Sequence, residues 1–326
     1  LDIVRAGTVG NVRIIDSADA NIEKPVKPKK PLIVLIATLL GSLIAIAYVL
    51  IRKAMNRGVE DPEVIEQLGI PVYASIPLSK GQSLIEVNLK SNGRASTDSL
   101  LLAVNNPADL AVESLRSLRT SLHFATLEAK NNILMISGPS PAVGKSFVSC
   151  NLAAIIAQTG QKVLLVDADM RKGYLNKLFR KDVSNGLSDL LAGKIDLNTA
   201  THATEVDNLH VITRGQIPPN PSELLMHSNF TQFLENVSSQ YDLVIIDTPP
   251  ILAVTDAALV GRQAGTSLIV TRFGVNAAKE IQVTKRRFEQ NGIIVKGAIF
   301  NAVERKASAY GYGSYSYYQY EYASDK

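Results

Sequence analysis

Residues 32 to 51 read LIVLIATLLGSLIAIAYVLI, a run of twenty residues without one charged side chain. At 1.5 Å of rise per residue, a helix of that length covers roughly 30 Å, the hydrocarbon thickness of a bilayer. A helix buried in a soluble core is the competing reading, but core helices rarely run so far without a polar face. A secretory leader fits worse: the run begins some thirty residues into the chain and lacks a cleavage-like end. One membrane-spanning helix is therefore expected, and it divides the chain. Flanking charge does not orient it. Lys24, Lys27, Lys29 and Lys30 precede the run, and Arg52, Lys53 and Arg57 follow it, a near tie under the positive-inside rule.

The chain has 326 residues, 46% of them apolar, enough for a sizeable core beyond the span. Its net charge of +4 is spread among mixed charges, which argues against a nucleic-acid binder. Cys150 is the single cysteine, so no intrachain disulfide can form, as suits a reducing compartment; it reads as a small core residue. The chain begins with Leu and reads as cut at its N-terminus. Residues 60–77, EDPEVIEQLGIPVYASIP, predict a short helix leading to a strand-like turn. Residues 79–106, rich in Ser, Asn, Lys and Gly, read as a linker. From Asn131 onward, apolar runs (ILMIS, KVLLVD, HVIT, DLVIID, SLIVT, IIVKGAIF) alternate with helical patterns. That alternation predicts an α/β domain, a parallel sheet with helices on both faces.

The run NNILMISG enters PSPAVGKS (139–146), close to the G-x-x-x-x-G-K-[ST] pattern of a phosphate-binding loop. Gly144 permits the tight turn, and backbone N–H groups with the helix N-terminus behind them suit a phosphate. Lys145 is placed to reach the β- and γ-phosphates, and Ser146 to hold Mg²⁺. The first pattern position is Pro139, with Gly138 one place early, which removes one possible donor. Two further strands end in carboxylates: VLLVDADMR carries Asp167 and Asp169, and LVIIDTPP carries Asp247. Ligands of open parallel sheets bind beyond the strands' carboxyl ends, so these aspartates fall beside the loop. Hard oxygens there suit a magnesium ion held by few protein contacts.

Together GPSPAVGKS, LLVDADMRKG, LVIIDTPP and a terminal tyrosine cluster resemble the bacterial tyrosine autokinases, more narrowly the Wzc type of capsule and exopolysaccharide export. The H-R-D and D-F-G motifs of eukaryotic-type kinases are absent from the sequence. The resemblance implies a P-loop NTPase-like kinase of ATP and Mg²⁺. It implies the end of a periplasmic chain-length domain over 1–31, a transmembrane helix over 32–51 and a cytoplasmic juxtamembrane segment over 52–106. The kinase domain is then expected over 107–306 and a tyrosine-rich tail over 307–326. It places residues after the span in the cytoplasm and the chain in the bacterial inner membrane. Lys145, Asp167, Asp169 and Asp247 are the implied catalytic residues, with Asp167 taking the tyrosine proton and Ser146, Asp169 and Asp247 organising the metal. The nucleotide site is expected to comprise Gly138, Ser140, Val143, Gly144, Lys145, Ser146 and Phe147, with Asn301 near the base. The resemblance further implies that Tyr174 is an internal phosphorylation and gating site, and NLHVITRG supplies Arg214 as a candidate partner for its phosphate. Glu113, Arg116 and Arg119 match a self-association motif and imply a homo-oligomeric ring, taken as an octamer. A cognate tyrosine phosphatase and the polysaccharide export machinery are the other implied partners. IPPNPSELL (217–225) also matches a family segment, with Ser222 as a helix cap.

Seven of the eleven tyrosines lie in the last segment: Tyr310, Tyr312, Tyr315, Tyr317, Tyr318, Tyr320 and Tyr322. They are interleaved with Gly, Ser, Gln and Glu and have no aliphatic partners, so they form no core. Beside a phosphoryl-transfer site they read as substrate. The competing classes are a MinD- or ParA-like ATPase switch and a non-enzymatic nucleotide-binding scaffold. The former usually carries a lysine where this chain has Ser140.

Overall fold

The computed structural model describes residues 28–55, 58–90, 99–126 and 129–304. The chain divides into two compact units, Leu1–Asn56 and Arg57–Lys326. The tail tyrosines expected as substrate lie outside the described residues.

In the first unit the apolar run is one helix, α1 (Lys30–Met55), long and apolar enough over Lys30–Ile51 to cross a membrane. Its large apolar side chains are exposed. Its hydroxyls turn back on its own backbone, Thr38 Oγ1 donating to Val34 O and Ser42 Oγ to Thr38 O, both at 2.8 Å. A segment in hydrocarbon must satisfy its polar groups internally in this way.

The second unit runs α2 (Pro62–Gln67), β1 (Val72–Pro77), α3 (Lys80–Lys90), α4 (Leu102–Asn105), α5 (Leu110–Thr126), β2 (Ile133–Ser137) and α6 (Lys145–Ala157). It continues with β3 (Val163–Asp167), α7 (Leu175–Leu178), α8 (Leu187–Leu191), α9 (Leu197–Ala200), β4 (His202–Ala203), β5 (Leu209–Ile212) and α10 (Pro221–Met226). It closes with α11 (Ser228–Gln240), β6 (Leu243–Asp247), α12 (Asp256–Gln263), β7 (Thr266–Arg272), α13 (Ala278–Gln290) and β8 (Gly297–Val303).

The strands form one sheet in the order β1-β8-β7-β2-β6-β3-β5-β4, parallel except for the β4–β5 pair at one edge. Each central strand buries both faces. Leu134 and Ile136 of β2 join the core under α5 and α6, while Ile133 and Met135 join the core on the other side. Such two-sided burial is why these strands read as unbroken apolar runs. Cys150 is buried in the first of these cores, and burial pushes its thiol up, as expected of a packing residue.

Two expectations change. The sheet has an extra parallel strand, because β1 pairs with β8, Val72 opposite Ala298. The expected linker of 79–106 is helical at Lys80–Lys90 and Leu102–Asn105, and Leu101 and Leu102 are fully buried. Asp109 ties the two ends of this stretch together by accepting from Ser79 Oγ at 2.6 Å. The unit's first described residues also engage the loop between β7 and α13. Val59 N donates to Asn276 O and Gly274 N to Val59 O, both at 2.8 Å. The backbones pass so closely that a Cβ on Gly58 would fall 2.1 Å from the Gly274 carbonyl carbon.

Candidate active site

Parallel register carries the functional residues to one edge of the sheet. Ile136 of β2 stands opposite Asp247 of β6, and Asp247 opposite Asp167 of β3. β2 therefore releases its loop, residues 138–144, between the carboxylates that end β6 and β3 and the ends of β7 and β8.

The loop is held from outside at three points. Asn276 Nδ2 donates to Ser140 Oγ at 2.8 Å, Arg272 Nη1 to Ala142 O at 3.0 Å, and Asn301 Nδ2 to Val143 O at 2.9 Å. Asn276 is fully buried, and its Oδ1 accepts from Arg272 N at 2.8 Å, so the first two braces share a support. Gly144 has φ +100°, and a Cβ there would meet Asn301 Nδ2 at 1.9 Å. Only glycine suits both conditions. A Cβ on Gly138 would meet Val270 O at 2.7 Å, so this glycine is needed where the loop crosses β7. The loop delivers the chain into α6, whose thirteen residues align their dipoles toward it.

Lys145 and Ser146 open α6. Ser146 Oγ donates to Asp247 Oδ2 at 2.5 Å and Ser149 Oγ to Asp247 Oδ1 at 3.2 Å. Burial lifts the Asp247 carboxyl to about 6, against the lowering pull of Lys145 and Ser146. Lys145 is itself buried, which lowers its pKa although Asp247 and Asp169 favour its charge. Asp167 is fully buried, and burial, then the neighbouring Asp247 charge, pushes its pKa well up. Its oxygens accept from Asp169 N at 3.2 Å and Leu175 N at 3.1 Å. Gly173 packs on it so tightly that a Cβ would lie 2.2 Å from Asp167 Oδ1. The turn after Asp169 wraps that residue's carboxylate, with Lys172 N at 2.8 Å and Arg171 N at 3.3 Å both donating to Oδ1.

These elements enclose a cavity of about 500 Å³. Gly144, Lys145, Ser146, Phe147, Asp169 and Tyr174 line it, and Lys172, Lys177 and Arg272 add positive charge. The arrangement is an anion cradle with hard oxygens at one side. Among the described residues no group of three or more His, Cys, Asp and Glu side chains gathers to hold a metal alone. A donor set of one hydroxyl and one or two carboxylates fits a divalent cation that takes its other ligands from phosphate and water.

Of the residues expected in the nucleotide site, Gly144, Lys145, Ser146 and Phe147 meet in the cavity, while Gly138, Ser140 and Val143 shape the loop behind it. Asn301, expected near a base, is nearly buried and spends its amide on the loop. Asp169 lines the cavity and Asp167 lies beneath the turn. Tyr174 is in the wall, whereas Arg214, at the end of β5, is not among the lining residues. Glu113 and Arg116 pair at 2.9 Å on the exposed side of α5, and Leu115, Leu118 and Leu122 fill its buried side. Arg119 lines a second cavity. Sequence reasoning missed Arg272 and Asn276 as loop braces, as well as the partner of Arg171. This residue's Nε stands 3.0 Å from Asp256 Oδ2.

Two family models match the chain: GNVR, a G-rich domain, over residues 1–54, and AAA_31, an AAA domain, over residues 131–278. The tyrosine-protein kinase wzc of Salmonella typhimurium is 53% identical over 328 residues, spanning 100% of this chain and 45% of that protein. The tyrosine-protein kinase etk of Escherichia coli K12 is 53% identical over 319 residues, 96% of this chain and 44% of that protein. The chain thus spans less than half the length of these curated relatives. Among solved structures, the kinase domain of Escherichia coli ETK shares 54% identity and a TM-score of 0.71, covering 79% of this chain and 100% of that domain. The BceF tyrosine kinase domain shares 43% identity and a TM-score of 0.70, covering 76% and 99%. With the loop, the carboxylate strand ends and a whole solved kinase domain matched at this identity, the chain belongs to the bacterial tyrosine-protein kinase family of Wzc and Etk.

Proposed function

We propose that this chain is an ATP- and Mg²⁺-dependent protein tyrosine kinase that phosphorylates the C-terminal tyrosine cluster of a neighbouring copy. The meeting of Lys145, Ser146 and Asp169 in one cavity, with Tyr174 in its wall, carries the reading. Bound magnesium neutralises phosphate charge and draws electrons from the transferring group. Lys145 holds the β- and γ-phosphates, and its burial beside the carboxylates keeps water from competing. Ser146, oriented by Asp247, and the carboxylates of Asp247 and Asp169 hold the metal, directly or through water. The tyrosine oxygen bonds to the γ-phosphorus, the β–γ bridging oxygen leaves with ADP, and the phenolic proton passes to Asp167. Burial makes that carboxylate a stronger base than a solvated one. Gly173 covers it, so the proton arrives past the turn of 169–173 or through one water.

The rest of the reading follows the family. Residues after α1 lie in the cytoplasm, those before it in the periplasm, and the membrane is the bacterial inner membrane. Glu113, Arg116 and Arg119 on α5 join copies into a ring, taken as an octamer, in which one tail enters the next subunit's cavity. Tyr174, once phosphorylated, pairs with Arg214 and opens the site. A tyrosine phosphatase resets the tail, and the cycle regulates capsule or exopolysaccharide polymerisation and export. Full phosphorylation adds roughly −10 to −14 charges to one tail, which opposes docking and favours ring disassembly. Equal sedimentation of the phosphorylated and unphosphorylated chains would contradict that last step.

The deciding experiment incubates the purified full chain with Mg–ATP and weighs the tail peptide. Phosphate on tail tyrosines that disappears in Lys145→Met is expected, and Tyr174→Phe in the same assay should lower the rate. ATP hydrolysis with an unmodified tail would instead favour a MinD- or ParA-like switch.

A further inference from the structure

Asp256 begins α12 and is a fully buried carboxylate. Three donors surround it. Ser222 Oγ donates to Oδ1 at 2.6 Å, Arg171 Nε to Oδ2 at 3.0 Å, and Arg171 Nη2 to Oδ1 at 3.5 Å. Arg171 Nη2 also donates to Ser222 Oγ at 3.2 Å, which closes the triangle. The two-pronged guanidinium grip suits a buried carboxylate, because it neutralises the charge and fixes the geometry together. A lysine could do only the first.

None of these three side chains lines the phosphate cavity, yet the triangle bears on it directly. Arg171 lies two residues beyond Asp169, and its own backbone N–H, with that of Lys172, donates to Asp169 Oδ1. Gly173 N also returns to Asp169 O at 2.6 Å. Anchoring the Arg171 side chain on Asp256 thus fixes the turn that sets the direction of the Asp169 carboxylate. Ser222 sits in α10, just after the proline segment that carries the exposed Ile217, and Met226 at the end of α10 is exposed as well. The same triangle therefore fastens α10 to the turn.

We propose that Arg171 and Asp256 are positioning residues for Asp169, and that Ser222 links α10 to the same grip. The inference rests on the reading that Asp169 faces the metal. Its signature is a loss of metal affinity that exceeds any loss of metal-free nucleotide affinity. Outer partners of ligating carboxylates are worth about 10- to 100-fold in metal affinity.

The test uses the full chain in detergent, with a fluorescent ADP analogue titrated with and without Mg²⁺, alongside thermal melting. Arg171→Met, Arg171→Lys, Asp256→Asn and Ser222→Ala are compared with Asp169→Asn. The expected result for Asp256→Asn and Arg171→Met is a rise of about tenfold or more in the Mg²⁺ concentration needed for half-maximal tightening, with metal-free nucleotide binding within about twofold. Arg171→Lys should rescue only in part, and Ser222→Ala should shift the same midpoint by a few-fold. Should Asp256→Asn not fold, the double variant Arg171→Met with Asp256→Leu removes both charges together, and the same midpoint is read. An unchanged Mg²⁺ midpoint in folded variants overturns the inference, as does an equal loss of metal-free binding. If Asp169→Asn itself leaves the midpoint unmoved, the failure belongs to the reading of Asp169 instead.

Discussion

The sheet has a cavity at each end, and the two are nearly equal in size, about 500 Å³ at the carboxyl ends of the strands and about 540 Å³ at the amino ends. The amino-end cavity is bounded by the last turns of α5 and α6 and by the starts of β2 and β6. Two of its polar side chains, Asn132 and Asp242, are committed to backbone. Asn132 Nδ2 donates to Tyr241 O at 2.7 Å and Ser238 O at 3.0 Å, and Asp242 Oδ2 accepts from Lys162 N at 2.7 Å. At the other end, burial displaces the proton affinities of Lys145, Asp167 and Asp247, and three glycines, Gly138, Gly144 and Gly173, keep the backbone where no side chain fits. Volume does not separate the two ends. What separates them is whether buried charge is gathered at a cost to the fold, as at sites that bind or react.

Asp247 makes that cost measurable. The Asp247 carboxyl titrates at about 6 in the fold and near 3.8 when solvated. Its folded-state pKa is raised, so its stabilising contribution is complete below about pH 4 and is lost as pH climbs through about 6. The loss amounts to about 3 kcal/mol at 1.36 kcal/mol per unit. Metal-free protein should thus unfold at lower urea at pH 7.5 than at pH 5, and Asp247→Asn should narrow the gap. Equal midpoints for the native chain at both pH values would show that the carboxyl end stores no such cost.

A substitution at the amino end should do the reverse. Asn132→Ala strands carbonyls of residues 238 and 241 and should cost about 1–3 kcal/mol of stability, read by urea denaturation, with autophosphorylation within about twofold of native. A tenfold loss of activity in folded protein would make the amino-end cavity part of the working site. The smallest effect is expected on α5, which borders that cavity. Glu113 is exposed and Arg116 only half-buried, so Arg116→Ala should cost the isolated kinase unit only about 0.2–0.5 kcal/mol. A larger drop in melting temperature would mean that the pair holds the helix itself.

The carboxyl end was far more legible in the sequence than what supports it. The glycine–lysine–serine turn and the aspartates closing VLLVD and LVIID are local patterns, and each sits on a strand whose apolar run announces it. The braces Asn276, Arg272 and Asn301 join the loop from positions more than a hundred residues away, where nothing local marks them. Asp256 is equally silent. A lone aspartate at a helix start reads as a cap, and only folding brings Arg171 to it. VYASIP was expected as a strand-like turn, and its pairing with β8, more than two hundred residues away, is what makes it a strand of the sheet. The polar stretch before Leu101 hid the helix Lys80–Lys90, and the burial of Leu101 and Leu102 after it, because their partners are distant and the composition resembles a linker.

The close passage of Gly58 along Gly274 carries one more consequence. Residues 58–59 are the first described after the apolar helix in sequence, and they are stitched to the loop between β7 and α13 by two backbone hydrogen bonds. Asn276 accepts one of these stitches with its carbonyl and holds Ser140 of the phosphate loop with its side chain. Along the covalent chain positions 59 and 140 are remote, but through Asn276 they are two hydrogen bonds apart. Val59 is thus joined through one residue both to the rim of the phosphate cradle and to the end of β7, whose Arg272 N donates to Asn276 Oδ1.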